Sequence, residues 1–213
     1  MKGLTDGAFS IFERLMNLAI WNIIWVGHTL MGFIIFGWAP ATAALFSVLR
    51  DEKLKQRNDR KLKTFFYYYK QHFFKANVIG FLLIGGGLSI MFTFYTLIDM
   101  TFWIRLLLGT VLFVVFILYL IVAFFIFPVF THFHTDLNLH IRYALMIGLA
   151  YLPQTFLIAM TLALTGIAYQ LFPGIMLFYL ASAPAGMVLA ISLHVFQSIE
   201  EKAPPVSLKY HEA

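Results

Sequence analysis

FGWAPATAALFSVLR, residues 36–50, stands between a long apolar segment and a burst of charge. Pro40 cannot continue an upstream helix without kinking it, but it suits the first turn of a new one. Ala39, Pro40, Ala41 and Thr42 therefore read as an elbow. Beyond it, Ala41, Ala44, Leu45, Val48 and Leu49 form an apolar stripe on a helix too short to cross a bilayer. That helix is expected to turn along the membrane surface or to pack under a helix bundle.

The composition says what lies around the elbow. The chain has 213 residues, 61% hydrophobic and only 12% charged, with a mean hydropathy of +0.84. One soluble core of this size could not hide so much apolar surface, so lipid is the solvent for most of the chain. There is no cysteine, which excludes disulfides, thiolate chemistry and cysteine-held metal clusters. The net charge of +5 comes mostly from one short segment between apolar spans. It marks a cytoplasmic loop, not a nucleic-acid surface. The first apolar run is too long for a signal-peptide core, and no cleavable leader is expected. No cofactor motif is visible.

These observations predict an all-α, polytopic membrane helix bundle forming a single membrane domain over 1–213. Five transmembrane helices are expected, at about 15–38, 76–97, 102–127, 144–164 and 174–196, with short interfacial amphipathic helices. The chief rival has four spans, with one weaker span failing to cross. Arg50, Lys53, Lys55, Arg57, Arg60, Lys61, Lys63, Lys70 and Lys75 fall between the first two spans, which places that loop in the cytoplasm. Five crossings then put the N-terminus outside and the C-terminus inside.

Three segments read as interfacial. Phe9, Ile11, Phe12, Leu15 and Met16 make a lopsided apolar face near the N-terminus, and Ala41 to Leu49 follows the elbow. The third is residues 64–77, overlapping the end of the 50–75 loop region, where Phe66, Tyr69 and Phe73 share one face, with Lys70 at another angle, in an amphipathic pattern lying at the cytoplasmic surface. Polar residues inside spans are functional candidates. Asn22 and His28 are of this kind, as interhelical hydrogen-bonding groups or as the lining of a path. Ser182, Gly186, Ala190 and His194 recur at intervals of four, a spacing that lets helix backbones approach closely, within this chain or against another subunit. His132, His134 and Asp136 in THFHTDLNLH are metal-ligand types, but no single local conformation gathers the stretch, and a solvated turn is the stronger reading. No catalytic constellation is apparent, so the chain is not expected to be an enzyme.

PATAALFSVLR (40–50), a charged loop, and then FFYYYKQHFFKANVIG (65–80) resemble the YesL-like family of bacterial membrane proteins. The positions that carry the likeness are Pro40, Ala41, Thr42, Ala43, Ala44 and Leu45, then Phe65, Phe66, Tyr69, Lys70, Phe73 and Lys75. Ala39 replaces the family's usual Gly. FPVFTHFHTDLNLHIRYALMIGLAYLPQT (127–155) is similar to the family's later segment. The resemblance implies an accessory membrane subunit in Gram-positive carbohydrate uptake, partnered with the permease subunits of an ABC-type importer of sugars or oligosaccharides. The alternative is a small oligomeric transporter or channel acting alone.

Overall fold

The computed structural model describes residues 2–54, 61–133 and 135–202. Among these there are eight helices: α1 (Lys2–Met31), α2 (Trp38–Lys53), α3 (Lys61–Leu97), α4 (Phe102–His132), α5 (Leu137–Ala150), α6 (Leu152–Leu171), α7 (Pro173–Tyr179) and α8 (Ser182–Lys202). No strand is present among the described residues. Four helices, α3, α4, α6 and α8, are long and apolar enough to cross a membrane. Their outward faces carry large apolar side chains that water would not tolerate, with Phe92 70% and Phe113 62% exposed. The chain is a membrane protein.

The short helix α2 sits at the centre of the bundle, packed by α1, α3, α4 and α8. Ala39, Pro40, Ala41 and every residue from Ala43 to Leu49 are buried. A helix apolar on all sides belongs in an interior. Its alanines allow neighbours to come close: a Cβ on Gly80 would sit 2.6 Å from Ala39 Cβ. Contacts run from Ala39 with Gly80 to Ser47 with His72 and Asp51 with Tyr68, so α2 is antiparallel to α3. Tyr119 of α4 donates to the Leu83 carbonyl at 2.9 Å, and Phe130 packs on His72, so α4 runs back beside α3. The charged ends of α2, α3 and α4 thus gather at one end of the bundle, the basic end.

The structure redraws the expected elements in five places. The reversal lies at residues 32–37, upstream of the expected Ala39–Pro40 elbow, whose residues are already helical. Phe33 and Ile34 take positive φ, 53° and 64°, a strained conformation for non-glycine residues and above all for a β-branched one. The turn holds them with its own backbone bonds, Ile34 N–H to Thr29 at 2.9 Å and Phe36 N–H to Gly32 at 3.1 Å. A Cβ on Gly37 would overlap the Thr29 carbonyl, so this close return needs glycine there.

Second, the amphipathic segment is not a separate surface helix. It forms the first turns of the 37-residue α3, about 55 Å long, well beyond a hydrocarbon core of about 30 Å. Third, the span expected at 144–164 is two helices, broken at Tyr151, where Pro153 opens α6. Fourth, the span expected at 174–196 breaks at Leu180–Ala181 between α7 and α8. Each break falls near a proline that suits a first turn.

Fifth, the middle of α1 meets the basic end. Asn17 accepts from the Lys61 ammonium, which also sits over the Trp21 ring. Trp21 donates to Glu52 at 2.9 Å. Burial, with the Arg14 charge close by, pushes the Lys53 ammonium below its usual range. The first expected span is not among the four crossing helices.

The α2–α3 contact makes a direct prediction. Gly80→Leu forces the two helices apart and should cost about 1–3 kcal/mol, read as a lowered unfolding midpoint in detergent. Gly109→Leu, where nothing lies within 4 Å of the added Cβ, should leave the midpoint unchanged.

Candidate functional site at the basic end

Between α2, α3, α4 and α5 lies a cavity of about 520 Å³. Its inner wall is buried: Ser47, Thr131 and His140. Its rim is exposed: Gln71, Lys75 and Asp136. Arg50, the first charge after the apolar run of α2, projects into it from the helix C-terminus, where the dipole favours a cation. One Arg50 terminal nitrogen donates to the Thr131 carbonyl, and the other lies 3.3 Å from Asp51. Tyr68 donates to the second Asp51 oxygen at 2.6 Å. Arg50 Nε and Thr135 Oγ1 are buried without a hydrogen-bond partner.

His140 closes the inner wall. Its Nδ1 lies 2.8 Å from the Asp136 carbonyl and its Nε2 3.0 Å from the Phe133 carbonyl. The Phe130 ring packs on it at 5.3 Å. The cavity gathers two cations, Arg50 and Lys75, and the hydroxyls of Ser47, Tyr68, Thr131 and Thr135, with the carboxylate of Asp136 at its rim.

The residues singled out by the sequence fall into five groups. Ala39, Pro40, Ala41 and Thr42 form the first turn of α2, where Thr42 accepts from Trp25 at 3.2 Å and donates to the Trp38 carbonyl at 2.7 Å. On α3, Tyr69 is buried and Phe73 half-buried, while Phe66 and Lys70 are exposed; the inward stripe is Phe65, Tyr69, Ala76 and Ile79. Ser182 is buried and a Cβ on Gly186 would meet Leu18 at 3.6 Å, whereas Ala190 and His194 face outward.

The metal-type residues are not brought together. His132 bonds Glu200 of α8 at 3.0 Å and stacks on Phe196, Asp136 faces the cavity rim, and His134 lies outside the described residues. No cluster of three or more metal-ligand residues occurs among the described residues.

Asn22 and His28 have structural partners. Asn22 is fully buried; its amide donates to the Leu177 carbonyl at 3.0 Å and its oxygen accepts from Ala181 N–H at 2.9 Å. One side chain thus satisfies both backbone groups freed where α7 breaks from α8. His28 Nδ1 lies 2.8 Å from the Ile24 carbonyl, and its ring is packed by Phe65 and Tyr69. Sequence reasoning missed the pairing of Asn22 with a break 155 residues away, and it missed the cavity. Arg50, Lys75 and His140 signal charge but carry no mark of their meeting.

Residues 18–94 match the family described as "Protein of unknown function, DUF624". The chain is 32% identical over 200 residues to the uncharacterized protein YteU of Bacillus subtilis (strain 168), covering 93% of this chain and 89% of that one. The chain belongs to this family. It is also 29% identical to YesV of the same organism over 145 residues, 68% of this chain and 70% of that one. With YesL it shares 23% identity over 203 residues, 95% of each. The expected YesL-like membership therefore holds. No solved structure matches the chain. Within DUF624, the matched block covers the second half of α1, all of α2 and most of α3, the module built around the buried helix.

Asn22→Leu should strand the Leu177 carbonyl and the Ala181 N–H in the interior, at a cost of about 2 kcal/mol. Denaturant unfolding in detergent checks this, with faster amide exchange at Ala181 as the local signature.

Proposed function

We propose that the protein is a non-enzymatic accessory membrane subunit of a carbohydrate ABC-type importer, supporting its assembly or gating. The carbohydrate link rests on the resemblance of residues 40–50 and 65–80. The docking role rests on a notch between α6 and α8. Pro153, Gln154, Leu157, Ala190, Ile191 and His194 line it. Ala190 makes room in its floor, His194 faces outward, and Gln154 Oε1 is buried without a partner. A polar acceptor held among apolar walls on a lipid-facing surface favours a donor from a neighbouring helix. That notch is the observation that carries the reading.

The alternative, a self-sufficient transporter or channel, draws on Asn22 and His28 as lining. Both are engaged in internal contacts, which gives that reading less support.

Pull-down of the tagged chain from native membranes in mild detergent should recover permease subunits. Ala190→Trp, which fills the notch, should lower that recovery at least about fivefold with an unchanged unfolding midpoint. A chain that always emerges alone overturns the proposal.

The orientation belongs to the same reading. The excess of Lys and Arg at the basic end favours the cytoplasm. Asn17 against Lys61 then favours an N-terminus on that side too, with α1 and α2 forming a hairpin that enters and leaves by one face. Labels at residue 2 and at residue 57 should both be protected in intact cells. Exposure of residue 2 alone restores a full crossing by the first segment.

A further inference from the structure

The polar cavity does not end at its inner wall. On α3 the face that carries His72 and Lys75 continues as Ile79, Leu82, Gly86 and Ser89, at helical spacings of three and four. These residues line a second, apolar cavity of about 430 Å³. On α4, Phe130 of the polar cavity is followed along the same face by Ile126, Val122 and Tyr119. On α5, His140 is followed by Ile141 and Leu145. The two cavities thus lie in succession along one seam between α3 and the α4–α5 pair, with buried Ile79 and Ile126 at their junction.

The groove changes character once along its length. Its basic-end stretch holds Arg50, Lys75 and His140; its remaining stretch is almost wholly aliphatic. From Ile79 to Ile90 the apolar part runs about 16 Å along α3, close to half the thickness of a hydrocarbon core. Gly86 keeps it open, because a Cβ there would meet the Tyr119 ring at 3.2 Å. A charged head, a chain of leaflet length and an outward face toward lipid describe a phospholipid.

We propose that this groove binds one anionic phospholipid from the leaflet at the basic end. The headgroup phosphate lies between Arg50 and Lys75, and one acyl chain lies along Ile79, Leu82, Gly86 and Ser89. Arg50 Nε and Thr135 Oγ1 supply the donors that lack partners in the protein. Arginine and lysine are the side chains suited to phosphate oxygens, and charge-assisted bonds to them are the strong ones. Asp136 at the rim limits the charge the site tolerates, favouring a singly charged diester over a phosphomonoester, which carries about −1.5 to −2 at neutral pH. The proposal does not depend on the accessory role.

The test uses the full chain in detergent with three probes: phosphatidylglycerol, phosphatidylcholine with the same acyl chains, and glycerol 3-phosphate. Native mass spectrometry should show one phosphatidylglycerol retained per chain, and that lipid should raise the unfolding midpoint. Phosphatidylcholine should be retained about tenfold less, and glycerol 3-phosphate should give no shift. Lys75→Glu, at the exposed rim, should lower phosphatidylglycerol retention at least about tenfold. Ser89→Phe, which fills the apolar stretch, should lower it with Arg50 and Lys75 intact. Equal retention of the two lipids, or indifference to Lys75→Glu, overturns the proposal. So does a shift with glycerol 3-phosphate matching that of the lipid, which assigns the cavity to soluble phosphate. Full retention by Ser89→Phe removes the acyl chain from the groove and overturns the lipid assignment with it.

Discussion

The fold depends on one close approach, the burial of α2 against α3 through small side chains. Ala39 and Gly80 meet with no room for another atom between them. Apolar residues larger than alanine around the start of α2 would hold α1, α3, α4 and α8 apart. In lipid there is little hydrophobic force to draw helices together, so fit between surfaces carries much of the association. That is why the closest α2–α3 contact is made by Ala39 and Gly80, while most of the chain's phenylalanines lie on the outside.

The second constraint is the backbone. At three of the places where the helices are interrupted, the freed groups find partners close by. At 32–37 the turn bonds to itself. At Tyr151 the Thr155 hydroxyl donates to the Gly148 carbonyl at 2.7 Å. At 180–181 the partner is Asn22, reached from another helix. Non-helical backbone at membrane depth survives only where it is satisfied in this way. Part of the polar content of the apolar segments is explained by this need, while Arg50 Nε and Thr135 Oγ1 at the cavity and Gln154 Oε1 at the notch are buried without a partner.

Much of the architecture was legible in the sequence, for physical reasons. Composition and long apolar runs identify lipid as the solvent, and the all-α bundle follows because helices satisfy their own backbone. Pro40 correctly marks the first turn of a helix. Residues 15–38 are long and oily, and the chain reverses within them at Phe33–Ile34. Nothing in GFIIFG announces this except its two glycines. The amphipathic stretch at 64–77 was recognisable, but not its fusion with the next span, because no residue between them breaks a helix. Among the site residues, Ser182 and Gly186 were legible as packing positions from spacing alone. Asn22 was visible as an anomaly, its role hidden by sequence distance. The cavity was not legible, since it is made by helices α2, α3, α4 and α5 meeting.

The lengths of the helices account for where chemistry can occur. At 37 and 31 residues, α3 and α4 are longer than a hydrocarbon core requires, and the excess lies at the basic end. There the surroundings are headgroups and water, so the cations of Arg50 and Lys75 can be kept at small cost. A few turns further along the same helices the medium is hydrocarbon, and the side chains become aliphatic. The groove between α3 and α4 inherits this gradient from the membrane itself. Its polar end and its apolar end are one consequence of two long helices standing across an interface, held at fixed separation by the short helix buried beside them.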